Sequence, residues 1–282
     1  MENQTPLKEL GYGLFGLSAA AWVVCEVYYA YASYIFRTIK ENVKEPMEVL
    51  PENEGKLVYA SGMLRNTKST FLKDPQLGIE LQAAKLFRKV EMFQWSKDSG
   101  KFRPVWHFDS IPSKSHPKSK KNPQWKFLTD QIYAGQEYYL APFTVGREVV
   151  DKLTTVWDFK PVLLKPEEQE HVKKKGFVAY KDSEYYYLTK KVRRNNSYKK
   201  PVVGDYKVKY SYVPNNLYVS VIGEQRRNKI EPYKGSWLLV EEGEVPCEKL
   251  VELLDKRNSR NIWIARVLGS VLSATGVYFM YS

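Results

Sequence analysis

Three histidines, His107, His116 and His171, are the only imidazoles in a chain of 282 residues. They lie far apart, and none stands at metal-ligand spacing from another candidate, so each is expected to be a packed or surface residue. His107 falls on an expected strand beside Trp106. The carboxylates Glu91, Asp109 and Asp205 could serve a membrane-surface enzyme only if the fold gathered them in one pocket, and the sequence shows no such gathering. No Gly-x-Ser-x-Gly elbow and no phosphate-binding loop occurs. Gly11-Tyr-Gly13-Leu-Phe-Gly16 has dinucleotide-loop spacing, but it lies in an apolar stretch with no strand before it, where helix packing is the better reading. The two cysteines, Cys25 and Cys247, stand one in that stretch and one in the polar middle, so no bridge is expected and thiolate metal sites are excluded. No cofactor and no catalytic residue is expected.

The basic runs are Lys118–Lys121, Lys173–Lys175, Lys190–Arg194 and Lys199-Lys200, with Tyr185, Tyr186, Tyr187 and Tyr198 among them. Such tyrosines can stack bases. Solubilising surface, or contact with lipid head groups and acidic partners, is the expected role; nucleic acid is not. The formal charge of +12 favours an anionic neighbour without choosing it. Asn195-Asn196-Ser197 is a glycosylation sequon, meaningful only in a lumenal domain.

The mean hydropathy of −0.48 describes the middle and hides the ends. Residues 1–9 form a short tail. Residues 10–36 are expected to be a first transmembrane helix: an apolar run from Leu10, a belt of Tyr28, Tyr29, Tyr31 and Tyr34, then Arg37 and Lys40. A signal peptide would need a basic start and a small-residue cleavage site, and Glu2-Asn3-Gln4 opens this chain, so the helix is expected to stay as an anchor. Residues 261–282 form a second span after Lys256, Arg257 and Arg260, antiparallel to the first. Each span carries one charge near the domain side, Glu26 and Arg266. Intramembrane charges are costly, so a Glu26–Arg266 pair joining the helices is set against separate snorkelling. Gly16 and Ala20 in one span, and Gly269 and Ser273 in the other, would permit close packing.

Residues 37–260 are expected to form one β-rich domain, giving an α+β protein whose antiparallel soluble domain lies between two antiparallel transmembrane helices. Strands are predicted at 55–62, 86–95, 102–108, 205–213, 218–223 and 236–240, with a hairpin at Val213-Pro-Asn-Asn216. Tyr206, Val208, Tyr210 and Tyr212 share one face. Helices are predicted at 146–155 and 248–257, and 167–175 is read as a charged helix or a linker.

Several segments resemble the transmembrane protein 43 (LUMA) family. They are Pro51–Val58 with Glu54 and Gly55, Asp74-Pro75-Gln-Leu-Gly78-Ile79, and Leu86–Trp95 with Glu91, Gln94 and Trp95. Lys121-Asn-Pro123, Val203-Gly204-Asp205-Tyr-Lys-Val208 with Ser211-Tyr212, Val219–Gln225 with Pro232, and Trp263, Arg266 and Gly269 follow in order. The resemblance implies a protein without established catalytic activity, in the endoplasmic reticulum and inner nuclear membrane, with its domain in the lumen. That sidedness opposes the positive-inside tendency of Arg37, Lys40, Lys44, Lys256, Arg257 and Arg260; the resemblance is preferred. Family members continue through two further spans, so this chain is expected to be a shortened form. The expected function is a membrane-anchored scaffold whose partners are membrane lipids, anionic ones included, and other membrane proteins. The alternatives are an accessory subunit of a mitochondrial inner-membrane respiratory complex and, last, a membrane-surface enzyme.

Overall fold

The computed structural model describes residues 5–67, 71–112, 114, 116–125, 127–190, 200–235 and 237–281. The sequon at 195–197, Lys191–Arg194, Tyr198, Lys199 and Ser236 lie outside the described residues. The chain is α+β, with apolar helices at both ends and antiparallel strands between. It divides into two compact units, residues 1–61 with 219–282, and residues 62–218. The single domain expected at 37–260 is therefore corrected: its first and last segments belong with the terminal helices.

In the terminal unit, helix α1 runs Thr5–Asn42, beyond the span expected at 10–36. No Gly or Pro interrupts it after Gly16, and it stops where Val43-Lys44-Glu45-Pro46 begins, because the residue before a proline disfavours helix. The strand Leu57–Met63 lies beside Tyr218–Arg226, which also pairs with Lys229–Glu231 and Leu239–Glu242. The strand expected at 236–240 starts later, because Pro232–Gly235 closes a turn, with Gly235 at φ 75° donating to Pro232 O at 3.0 Å. Ile39, Leu57, Ile222, Leu239, Leu250 and Val251 are buried together.

The last helix runs Cys247–Tyr281; with Arg147–Val150 and Pro166–Lys174 as α2 and α3 it is α4. It continues without a break from the amphipathic stretch at 248–257 into the apolar one. Stretches long and apolar enough to cross a membrane are Lys8–Asn42 and Ile262–Phe279.

In the second unit the long strand Ala83–Asp98 pairs with Lys101–His107, Gln131–Ala134 and Tyr206–Pro214, all antiparallel. Ser99 and Gly100, at φ 48° and 81°, make the two-residue turn of the first hairpin. Tyr206–Pro214 pairs in turn with Tyr186–Thr189 and Trp157–Asp158. The turn at 213–216 thus makes no hairpin: the strands flanking it belong to different sheets. Tyr206, Val208 and Tyr210 are buried with Leu86, Val90 and Met92, as the period of two requires.

The helix predicted at 146–155 is only Arg147–Val150. Lys152 and Leu153 make short turn bonds to Val149 and Val150, and the β-branched Thr154-Thr155-Val156 that follows favours extended chain. Helix α3 fits its prediction better. Pro166 occupies its first turn, Glu168 Oε2 accepts the Lys165 N–H at 2.7 Å, and Val172 is its buried residue.

Candidate functional site

Helices α1 and α4 pack along one seam. In α1 the seam repeats every seven residues, through Gly11, Ser18, Cys25, Ala32 and Ile39, none of which is exposed. A seven-residue repeat of inward positions is the pattern of two helices packed along their length. On α4 it passes Leu250, Val251, Ile262 and Gly269. Contacts rise along α1 as they fall along α4, so the helices are antiparallel. Ile39 clusters with Leu250 and Val251, Glu26 meets Arg266, and Ser18 meets Gly269 and Ser273.

Small side chains bring the backbones together there. Ser18 Oγ donates to Gly269 O at 2.8 Å and shares a hydrogen bond with Ser273 Oγ. A Cβ on Gly269 would stand 2.8 Å from Trp22 Nε1, so only glycine admits the indole. The packing role expected of Gly16 and Ala20 is corrected. Both are exposed, and a Cβ on Gly16 would meet nothing within 4 Å. They stand two positions either side of Ser18, roughly 200° around the helix from the seam. Gly269 and Ser273 lie on it.

Arg266 donates from Nε and Nη2 to Glu26 Oε1 at 3.0 and 2.7 Å. Its guanidinium also lies 5.4 Å from the Tyr29 ring centroid. The pair stands about four residues, roughly 6 Å, inside the start of the apolar stretch at Ile262. Around it the outer faces of both helices are broadly apolar, with Leu17, Val23, Val24, Val27, Leu268 and Val271 exposed. Two hydroxyls on those faces are satisfied within the helix: Ser270 and Thr275 donate to the carbonyls of Arg266 and Val271. Cys247, at the polar start of α4, has its thiol pushed up to about 12 by burial and by Glu45, which keeps it protonated and inert.

The second unit is organised around a buried charge pair. Arg88 Nη1 donates to both oxygens of Asp74 at 2.8 and 2.7 Å, while its Nε and Nη2 donate to Thr129 O. Asp74 also accepts from Tyr133 OH, Tyr210 OH and the Gln76 N–H. Burial, then the Asp74 charge, pushes Tyr133 up to about 12 and Tyr210 well above its ordinary value. The sequence places Asp74 and Arg88 in separate motifs and Tyr210 on a shared strand face, but does not join them, or Tyr133, in one cluster. An arginine inside an alternating apolar strand was the available signal, since it must find a partner if buried.

The other motif residues hold backbone. The Gly78 N–H, at φ 68°, donates to Asp74 O at 2.7 Å, tightening the loop through Pro75. Gln94 pins residues 109–111, donating to Asp109 O and accepting from the Ile111 N–H. Asn122 bonds both backbone groups of Trp95, doing for that residue what a neighbouring strand would. Gly204, at φ 97°, passes close under Pro123, and Asp205 Oδ2 accepts the Val202 N–H. Glu54 accepts the Arg227 N–H, and Gly55, at φ 75°, donates to Gln225 O.

Glu91 pairs across strands with Lys207 at 3.0 Å, Asp109 sits in the His107 turn, and Asp205 is buried in its own loop. The three carboxylates do not face one another across a common pocket. Among the described residues, no group of three or more His, Cys, Asp or Glu could hold a metal ion. His116 packs on Phe102, and Lys120 of the basic run lies over Trp95 and Phe102, 5.3 Å from each ring centroid. A cavity of about 740 Å³ opens beside the C-terminal end of α3, with Phe127, Phe177 and Tyr206 in its wall and His171 at its rim.

The sequence is 27% identical over 264 residues to transmembrane protein 43 of Rattus norvegicus, an alignment covering 82% of this chain and 62% of that relative. The proteins of the same name from Mus musculus and Homo sapiens are 26% identical over the same shares. The chain thus spans less than two thirds of the relatives it matches. No solved structure matches it. The sequence profile of the family Transmembrane protein 43 matches residues 80–282, most of the chain, and this membrane protein belongs to that family.

Proposed function

We propose that this chain is a non-enzymatic scaffold, anchored by α1 and α4 in the endoplasmic reticulum or inner nuclear membrane, on which other membrane proteins assemble. The observation that carries this reading is the helical pair. Its inner seam is closed by Ser18, Trp22, Gly269 and an ion pair, while its outer faces are broadly apolar where the two helices are of membrane-crossing composition, away from their charged domain-side ends. A pair fixed on one side and apolar on the other can meet lipid or the helices of neighbours. The engagement of Glu91, Asp109, Asp205 and Asp74 in structural contacts supports a non-catalytic role. Basic residues at the domain-side ends of the two helices and just past them, Arg37, Lys40, Lys44, Lys256 and Arg260, favour anionic head groups.

The test is a tagged full chain, expressed in its own cells, extracted in gentle detergent and run on a native gel with mass spectrometry of the band. Co-migration with membrane proteins of the endoplasmic reticulum or nuclear envelope is the expected result. Co-migration with respiratory subunits, or a band of the chain alone, would overturn it.

A further inference from the structure

We propose that the cavity beside α3 binds a single-chain lipid anion, its acyl chain against the aromatic wall and its head group at a cationic rim. The wall is apolar and stiff. Phe127 and Phe177 stack with centroids 5.1 Å apart at 8°, and Tyr206 meets both edge-on at 6.2 and 5.4 Å. Met92 joins them and, like Tyr206 and Phe177, is buried. A cavity of about 740 Å³ with such a wall and a few polar groups matches small-molecule sites of roughly 300–1,000 Å³.

Charge selects the ligand. His171, Lys175 and Lys190 line the mouth and are exposed. Lys190 Nζ lies 5.5 Å from the Phe177 centroid, which puts a cation directly above the apolar wall. Among the described residues no carboxylate lies within ion-pair distance of Lys175 or Lys190. Asp205, the one carboxylate in the lining, is 3% exposed and already accepts the Val202 N–H at 2.9 Å. Positive charge above an aromatic wall suits a molecule with an apolar tail and an anionic head. The chain resides in a membrane, where that molecule is a fatty-acid or lysophospholipid anion.

The test uses the full chain in nanodiscs, a diazirine-bearing oleate analogue and its uncharged alcohol counterpart, with labelled peptides mapped by mass spectrometry. The oleate probe should label peptides carrying Met92, Phe127, Phe177 or Tyr206 and be displaced by unlabelled oleate. The alcohol should label them about tenfold less, and K175E/K190E should lower oleate labelling about tenfold. Val203→Trp fills the cavity without changing charge and should abolish labelling there. Unfolding midpoints show that each variant is folded. Labelling confined to α1 and α4 would overturn the proposal. So would equal labelling by the alcohol, displacement by an acidic peptide but not by oleate, or folded variants that label as before.

Discussion

Two arginine–carboxylate pairs hold this molecule together in opposite surroundings. Arg88 and Asp74 have no exposed side-chain surface, and nearly every polar atom of either has a further partner: Thr129 O for one, two tyrosines and a backbone N–H for the other. Arg266 and Glu26 are 40% and 46% exposed, and among the described residues their side chains have, beyond each other, only the Tyr29 ring. In water the second pair would be an ordinary surface contact, worth about 0–1 kcal/mol. It lies within an apolar stretch, however, and what it is exposed to there is lipid. Lipid replaces none of the hydration that water gives, so a pair open on one side behaves in the membrane more like a buried one. Exposure acquires its energetic meaning only once the medium is named.

The largest test of that contrast is at Asp74. Asp74→Ala leaves Arg88 charged and buried with only a carbonyl to face, and removing one partner of a buried pair costs about 3–5 kcal/mol. The second unit should lose its cooperative unfolding transition or show a midpoint lowered by many degrees. Arg88→Met with Asp74→Leu, which removes both charges, should recover much of the loss. A double variant no better than the single one would show that the tyrosine contacts, not the charge, organise the region.

Alkaline pH separates the units next, because several buried tyrosines act together. Tyr133, Tyr138 and Tyr186 are pushed up to about 12, chiefly by burial, and Tyr210 further still. Unfolded tyrosine ionises near 10. Below pH 10 both states hold these tyrosine protons, which therefore leave stability unchanged. Between pH 10 and about 12 the unfolded chain releases protons that the folded chain keeps, so stability falls as pH rises. Denaturant midpoints at pH 8, 10 and 11.5 should show this decline, and Tyr138→Phe should flatten it. A midpoint unchanged up to pH 11.5 would sink the account.

The pair in the helices should give a smaller and exchangeable effect. Glu26→Ala or Arg266→Ala leaves one charge against lipid, at a cost of up to about 2.5–3.5 kcal/mol on the scale of membrane insertion. Glu26→Arg with Arg266→Glu should restore stability in nanodiscs. In a detergent that wets the pair the single changes should cost under about 1 kcal/mol. Equal losses in both media would show that the contrast drawn between the two pairs is wrong.

How much of this was legible depended on whether a feature belongs to one segment or needs two. The terminal helices and the face shared by Tyr206, Val208 and Tyr210 are written in local composition and period, and the structure has them. The hairpin at 213–216 was misread because a turn signal reports a reversal, not the strand that the chain goes on to meet. The cluster at Asp74 joins residues 59 and 136 positions away, and nothing local marks Tyr133 or Tyr210 as its members. The cavity was illegible for the same reason, since its lining combines six separate stretches of chain.

The glycines of the two spans give the smallest and most discriminating test. By residue type Gly16 and Gly269 are equivalent, and both suit close helix packing. The seam separates them, because seven-residue spacing from Ser18 reaches Gly11 and Cys25 and leaves Gly16 facing outward. Gly269→Ala places a methyl 2.8 Å from Trp22 Nε1, so the indole must turn or the helices part, at about 1–3 kcal/mol for an overpacked contact. Gly16→Ala meets nothing and should leave pairing unchanged or slightly firmer, because alanine is the better helix former. Cysteines placed at Ala32 and Ile262 would report the pairing as oxidant-induced crosslinking in nanodiscs. The crosslink should slow in Gly269→Ala, persist in Gly16→Ala, and return in Gly269→Ala when Trp22 is cut back to Leu. If both glycine variants slowed it equally, the heptad seam would not be the contact that sets the pair.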